Sequence, residues 1–243
     1  EALKRSGVKP EQIDHVVYGG VITTGQNSAY LARHIGLYAG VPQEVPPLTQ
    51  NRLCGSGMQS VVTAAQQILL GEANAVLAGG AENMSQSPYS NFEQRFGGAK
   101  IGDLKFIDML SATLTDQYTG NGMGMTAEKL AEQYSISREE QDEFALLSHA
   151  RAAVARDAGK FKEEIVPVTV KTRKGELVID TDEHIKDSGT MESLAKLRPA
   201  FKKDGTVTAA NASGINDGAA SVVVASEQFV QDKELRKRCL KLL

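Results

Sequence analysis

The residues best suited to do chemistry lie together in Asn51-Arg52-Leu53-Cys54-Gly55-Ser56-Gly57-Met58-Gln59-Ser60. A cysteine in a glycine-rich turn between an extended stretch and a helix has three advantages. It has backbone room for a substrate, a helix N-terminus whose positive end suits an anionic sulfur, and nearby N–H groups that can hold an oxyanion. Such a site suits acyl transfer. The bland reading of Cys54 is a small buried residue at a tight turn. Gly55, Gly57 and the helix start weigh against it.

This turn needs a strand before it and a helix after it. Pro46 to Leu53 reads as extended chain, and Met58, Val61, Val62, Ala65, Ile68 and Leu69 then recur at helical spacing until Gly71. Ala75 to Ala78 reads as a buried strand leading into Gly79-Gly80, and His15 to Val21 as another after the turn at Val8-Lys9-Pro10. Ser28 to Gly40 reads as a helix. Strand, turn, helix, strand is a βαβ crossover, which predicts an α/β fold with a parallel-rich sheet covered by helices. From about Ser85 the chain turns polar and loop-rich. Helices are expected near Ala127 to Tyr134 and Arg138 to Ala158, the second opened by a Ser137/Glu140 capping box. Ile165 to Val170 and Glu176 to Ile179 form a ribbon with Pro167 marking an edge. Ala219 to Ala225 reads as a buried strand. The division expected is a core of residues 1–84 and 209–230, an inserted loop domain over 85–208, and the start of a linker over 231–243.

With 243 residues, 41% of them hydrophobic, the chain can bury a proper core. A formal charge of −3 gives no general attraction to nucleic acid or anionic membrane, so an anionic ligand must be held by local charge. No apolar run approaches the roughly 20 residues of a membrane span, and no signal-peptide pattern opens the chain. An aqueous intracellular compartment is expected: cytoplasmic, or mitochondrial matrix or peroxisome in a eukaryote. Cys54 and Cys239 lie far apart without C-x-x-C spacing, which suggests neither a disulfide framework nor a zinc site. Glu1 to Gly7 reads as the last turns of a helix, and the stretch from Gln231 to Leu243 has no stop signal, so the chain reads as cut at both ends.

Four blocks, in order, resemble the thiolase family and span nearly the whole chain. They are the Cys54 segment, Gly79-Gly80-Ala81-Glu82-Asn83-Met84-Ser85, Leu197-Arg198-Pro199-Ala200-Phe201, and Thr206 to Ala220 with its central Asn211-Ala212-Ser213-Gly214-Ile215-Asn216-Asp217-Gly218. The resemblance implies a layered thiolase-like fold whose C-terminal half is absent here, and an acyltransferase that forms or cleaves 3-ketoacyl-CoA of the acetoacetyl-CoA type. It implies that Cys54 carries the acyl group and that its own N–H helps hold the thioester oxygen. It places Ala209, Ser213, Ser193 and Leu197 along the pantetheine arm, Phe201 near the adenine and pantetheine path, Met123 beside the acyl pocket, and Lys186 near the nucleotide. Acyl-CoA and CoA are the partners implied, with CoA as substrate and no other cofactor, no metal, no nucleic acid and no membrane. A homodimer or homotetramer is expected of the full-length protein. On their own types, Leu197, Phe201 and Met123 also suit ordinary core, and Ser213 and Asn211 suit loop residues that satisfy backbone groups.

Several departures and rivals bear on this reading. Gly122 stands where short-chain thiolases commonly carry a histidine, which implies room for longer acyl chains. None of His15, His34, His149 and His184 lies in the Gly-His-Pro context the family uses, Cys239 lacks the family's glycine-rich surroundings, and an Asn-Glu-Ala-Phe segment is missing. A papain-like protease shares Cys-Gly-Ser, but Gly57 and Met58 replace that family's next cysteine and aromatic residue. Gly120, Gly122 and Gly124 lack a preceding strand and the G-x-G-x-x-G spacing of a dinucleotide loop. A ketoacyl-synthase-type condensing enzyme shares the cysteine but leaves the loop-domain blocks unexplained. A non-catalytic CoA-binding fragment or interaction module is the alternative from another class.

Overall fold

The computed structural model describes residues 1–235; Cys239 and residues 236–243 of the expected linker lie outside them. In chain order the elements are α1 (Ala2–Ser6), β1 (His15–Gly19), α2 (Leu31–Tyr38), β2 (Pro47–Gln50), α3 (Ser56–Leu69), β3 (Ala75–Asn83), β4 (Tyr89–Ser90), β5 (Ile107–Asp108), α4 (Met109–Thr113), β6 (Thr115–Asp116), β7 (Asn121–Gly122), α5 (Met123–Tyr134), α6 (Arg138–Asp157), β8 (Val168–Thr172), β9 (Gly175–Ile179), α7 (Met191–Ala195), β10 (Asp217–Ala225) and α8 (Glu227–Asp232). They fall into two compact units. One holds Glu1–Leu110 and the described residues from Asn216 onward, the other Ser111–Ile215. The stretch 85–110 groups with the first unit, where the Ser85 N–H and hydroxyl bind the Asp217 carboxylate and Met109 N–H donates to the Pro88 carbonyl at 3.0 Å.

The first unit is built on a four-stranded sheet in the order β10-β3-β1-β2. β1 runs parallel to both β2 and β3, with Val17 opposite Leu48 and Ala78, and β10 runs antiparallel to β3. From Val16 to Gly19 β1 is buried without a break because both faces of the sheet are covered. Val16 and Tyr18 pack with Leu3, Ile13, Ala32 and Leu77, while Val17 packs on the other side with Ala64, Val76 and Ala78. The buried Tyr18 hydroxyl reaches Ser221 at 2.6 Å; burial pushes it above its ordinary pKa, which that bond partly opposes.

Two features of this sheet go beyond the sequence or differ from it. The buried face of α3 is Ser56, Ser60 and Ala64, four residues apart, while Met58, Val62 and Leu69 point outward, Met58 with 70% of its surface exposed. The reason lies beneath the helix. A Cβ on Gly19 would stand 2.4 Å from the Ser56 carbonyl carbon, and one on Gly80 would stand 3.2 Å from the Gly57 Cα. Small residues on both surfaces bring backbone against backbone, and a leucine there would hold them apart. The buried hydroxyls bond within their own turn, Ser56 Oγ donating to Leu53 O at 2.6 Å and Ser60 Oγ to Gly57 O at 2.7 Å. The second concerns β10, expected to be buried. Among the described residues it is an edge strand with β3 as its one neighbour, and Asp217 to Val222 are exposed. Apolar side chains do not bury a strand whose outer side lacks a partner.

In the second unit α6 packs on α7, and β8 and β9 form an exposed ribbon that turns at Gly175, φ 123°. The capping box that opens α6 is present: Glu140 N–H donates to Ser137 Oγ at 3.1 Å and Ser137 N–H to the Glu140 carboxylate at 2.7 Å. No helix among the described residues is long and apolar enough to cross a membrane.

Candidate active site

Cys54 is exposed, and it lies between the end of β2 and the first residue of α3. The turn that carries it is tightly specified. Leu53 has φ 49°, the left-handed conformation that costs an L-residue roughly 1–2 kcal/mol. Its N–H donates to Asn51 Oδ1 at 2.9 Å, and its carbonyl accepts from Ser56 N–H at 2.9 Å and from the Ser56 hydroxyl. Arg52 N–H donates to Ser56 Oγ at 2.8 Å, and the Arg52 guanidinium reaches the Gln59 side-chain oxygen. Ser56 therefore ties the turn from both sides while its own backbone sits on Gly19.

The expectation of nearby oxyanion donors narrows to particular atoms. Gly55 N–H is taken by Arg52 O at 3.1 Å and Ser56 N–H by Leu53 O. The backbone donors next to Cys54 in the chain that are left without an acceptor among the described residues are its own N–H and those of Gly57 and Met58 in the first turn of α3. A cysteine that directly precedes the N-terminal turn of a helix, where backbone N–H groups lack acceptors, is of the kind that suits attack of sulfur on a carbonyl and the holding of the oxyanion that results.

The turn also sits on the side of the sheet where chemistry is usual in open α/β folds. β2 lies on one side of β1 and β3 on the other, so the strand order reverses there, and ligand crevices form outside the carboxyl ends of strands at such a point. An open cleft of about 470 Å³ lies at those ends, lined by Val21, Thr23, Ser28, Glu82, Asn83 and Asp217 among others. Its carboxylates already have partners. Glu82 accepts from Val21 and Ile22 N–H, and Asp217, held below its ordinary value by the Ser85 hydroxyl and then the Ser85 N–H, accepts from Ser85.

The other seven residues singled out from the sequence all belong to the second unit. Met123 opens α5 and is 58% exposed, its N–H donating to Leu114 O at 3.0 Å. Phe201 is 50% exposed, and its ring lies over Gly124, where a Cβ would come 2.2 Å from the ring. Leu197 is 39% exposed. These three are therefore not core, and the glycine at 124 is needed for the Phe201 ring to lie where it does. Ala209 is exposed and Ser213 is exposed as well. Lys186 is exposed and its backbone N–H donates to His149 Nδ1 at 3.1 Å, with the His184 ring 6.0 Å from that of His149. Ser193 has a structural role at the start of α7, where it and Thr190 cap the helix reciprocally. Ser193 N–H donates to Thr190 Oγ1 at 3.2 Å and Thr190 N–H to Ser193 Oγ at 3.0 Å.

Two residues that sequence reading passed over hold the segment from Thr206 to Ser213. Glu128 is 4% exposed and accepts from Thr206 N–H at 3.0 Å, Val207 N–H at 2.8 Å and the Thr206 hydroxyl at 3.1 Å. Burial pushes its carboxyl up, but the bonds from Thr206 and Val207, with Lys202 nearby, outweigh that and hold it below its ordinary value. Asp142 is buried, paired with Arg138 at 2.7 Å, and accepts from Asn211 Nδ2 at 2.9 Å. The available signal was a carboxylate in the buried stripe of a helix, which is costly unless bonded. Glu128 shares that stripe with Ala131. Among the described residues no group of three or more His, Cys, Asp and Glu side chains is arranged to hold a metal ion.

Comparison with known proteins bears on the same elements. The family model described as thiolase, N-terminal domain, matches residues 1–228. The chain is 50% identical over 230 residues to the human mitochondrial 3-ketoacyl-CoA thiolase, covering 95% of this chain and 58% of that protein. It is 52% identical over 230 residues to the acetyl-CoA acetyltransferase of Chromobacterium violaceum, covering 93% of this chain and 58% of that protein. A solved structure of human mitochondrial 3-ketoacyl-CoA thiolase in complex with CoA superposes with a TM-score of 0.91 at 47% identity, over 96% of this chain and 58% of that one. The chain thus spans under two thirds of the length of each.

Proposed function

The chain belongs to the thiolase family, and from that premise we propose that Cys54 is the acyl carrier of an enzyme that forms or cleaves 3-ketoacyl-CoA. In this reading the Cys54 sulfur attacks the carbonyl of an acyl thioester and its proton passes to a base. The oxyanion is met by the Cys54 N–H and the open first turn of α3. The tetrahedral centre then collapses, the carbon–sulfur bond to CoA breaks, and CoA leaves as its thiol with the acyl group left on Cys54. A second CoA species accepts that group. The observation that carries the proposal is the exposed cysteine on a left-handed turn at the start of α3, next in the chain to backbone donors that no chain acceptor uses among the described residues.

Met123, Lys186, Ser193, Leu197, Phe201, Ala209 and Ser213 are assigned to CoA and acyl binding. Their exposure supports this, since side chains with a core role alone would be covered. No histidine of this chain is assigned the base. His15 is the first residue of β1, and burial holds its pKa below the ordinary value, partly opposed by Glu72 and Asp14. CoA is substrate rather than resident cofactor, and the assembly proposed for the full-length protein is a homodimer or homotetramer. The mitochondrial name of a relative with half its residues in common supports an organelle matrix in a eukaryotic source, and the cytoplasm otherwise.

The test is intact-mass and peptide mass spectrometry after incubation with acetyl-CoA. One acetyl group is expected on Cys54, abolished by Cys54→Ala; an adduct that survives that substitution refutes the assignment. Run with acetoacetyl-CoA and a medium-chain 3-ketoacyl-CoA in the full-length enzyme, the same assay addresses Gly122, where an added Cβ would find its nearest neighbour, Leu114 O, at 3.8 Å. A strict preference for the short substrate removes the longer-chain reading. Binding of CoA without acylation by this chain supports the second reading, a non-catalytic CoA-binding fragment or interaction module.

A further inference from the structure

The turn that carries Cys54 is held from another strand. Glu82, near the end of β3, accepts Val21 N–H on Oε2 at 3.0 Å and Ile22 N–H on Oε1 at 3.1 Å, so both carboxylate oxygens grip the backbone just beyond β1. The gripped segment is bound to the end of β2 by two cross-links. Gly20 N–H donates to Gln50 O at 3.1 Å, and Asn51 Nδ2 donates to Val21 O at 3.4 Å. The other end of the same Asn51 amide, Oδ1, accepts Leu53 N–H at 2.9 Å and closes an Asx turn around Arg52. Leu53 is the left-handed residue, and Cys54 follows it directly. A continuous path therefore runs from Glu82 through Val21 and Asn51 to the peptide unit that sets the direction of the nucleophile.

We infer that Glu82 and Asn51 are positioning residues for Cys54, with Asn51 holding Leu53 left-handed and Glu82 fixing the support on which the Asn51 amide rests. This deepens the reading of Cys54 as acyl carrier and rests on it. Leucine has no preference of its own for φ 49°, so something must offset the cost, and the Asn51 amide is the polar side chain bonded to its N–H. Asn51 is exposed, so burial does not explain its orientation. Glu82 faces the cleft, yet both its oxygens turn to backbone N–H groups rather than to open space. Anchoring of this kind lets a turn hold geometry that its own residues do not favour.

The test reads the sulfur directly, through its alkylation rate with iodoacetamide at fixed pH, followed at the Cys54 peptide in the full chain. Asn51→Ser keeps an uncharged oxygen that can accept Leu53 N–H but does not reach Val21 O. Asn51→Ala keeps neither. Glu82→Gln leaves one acceptor oxygen where two N–H groups converge. The expected order is wild type fastest, then Asn51→Ser, then Asn51→Ala, with Glu82→Gln slowed on the order of tenfold because a displaced turn takes the sulfur out of the helix-end environment that suits its attack. The Asn51→Ser/Glu82→Gln double variant is expected to be no slower than the slower single, since both cut one path. Removing the Glu82 charge by Coulomb's law alone favours an anionic sulfur and speeds alkylation, the opposite sign. Multiplicative losses in the double variant, equal rates for Asn51→Ser and Asn51→Ala, or a faster Glu82→Gln each overturn the inference. The Asn51 pair decides it if Glu82→Gln does not fold. Alkylation needs no CoA, so a chain that shows this order but never becomes acetylated overturns the proposed function and leaves the positioning role standing.

Discussion

A Cβ on Gly19 would enter the carbonyl carbon of Ser56, 2.4 Å away, and the obstacle is backbone rather than a side chain that can swing aside. Gly19→Ala therefore has to lift the start of α3 off the sheet. The expected cost is about 1–3 kcal/mol of stability from overpacking, measured by urea unfolding, together with slower Cys54 acylation because the displaced turn is the one that carries the sulfur. Wild-type stability in Gly19→Ala would show that α3 has more slack than this contact allows. The turn that carries Cys54 was legible from its neighbours in sequence, because an extended stretch, a glycine-flanked cysteine and a helical period follow one another there. Glu82 stood out only as part of a matched block. Its two acceptor bonds reach residues sixty positions away, and no local pattern reports them until β1 and β3 are paired.

At the scale of the element, periodicity told helix from strand well and told faces poorly. The strand expected over His15 to Val21 runs His15–Gly19, and the helix after Cys54 and the capping box on α6 stand where hydrophobic spacing and cap chemistry put them. The buried face of α3, Ser56, Ser60 and Ala64, was not given by that spacing, because glycines on the strands below select small residues, and an apolar stripe is informative only when its partner surface is not itself flattened. The short helix α7 escaped notice because it spans only Met191–Ala195 and is set by the Thr190 and Ser193 caps rather than by an apolar period. α5 gives a quantitative case. Its Glu128 carboxylate holds Thr206 and Val207, and hydrogen bonds to a buried charged group contribute about 1.5–3 kcal/mol. The folded pKa is depressed, so this stability is fully present above the ordinary carboxylate range and is lost as pH falls through the lowered folded value. Glu128→Gln is expected to lower the unfolding midpoint at neutral pH, and the gap from wild type should close on acidification toward pH ~3. A gap of constant size between neutral and acid conditions would mean that shape rather than charge holds the segment.

At the scale of the whole chain the telling feature is apolar surface that nothing in the described residues covers. In the first unit Met58, Val62 and Leu69 stand outward from α3, and the stretch between β3 and α4 exposes Phe92, Phe96 and Ile101. Scattered exposed apolar residues are ordinary, but a run of outward apolar side chains on one helix, in a unit that also exposes aromatic rings, is the kind of surface that marks an interface or drives association. The charge available to keep copies apart is small, −3 over 243 residues. The exposure of the α3 residues was not legible in the sequence, where their spacing read as a helix face, because sequence pattern reports what a residue prefers and not whether a partner is present. The chain alone is therefore expected to self-associate at micromolar concentration, seen by size exclusion with light scattering. Reductant must be present so that the exposed Cys54 thiol does not crosslink copies. Sulfate separates the causes: association through apolar surface strengthens as sulfate rises, whereas association through charge weakens under screening. A monodisperse monomer across that range would mean that these side chains fold back on their own chain in solution, and the interface reading of α3 would have to be given up.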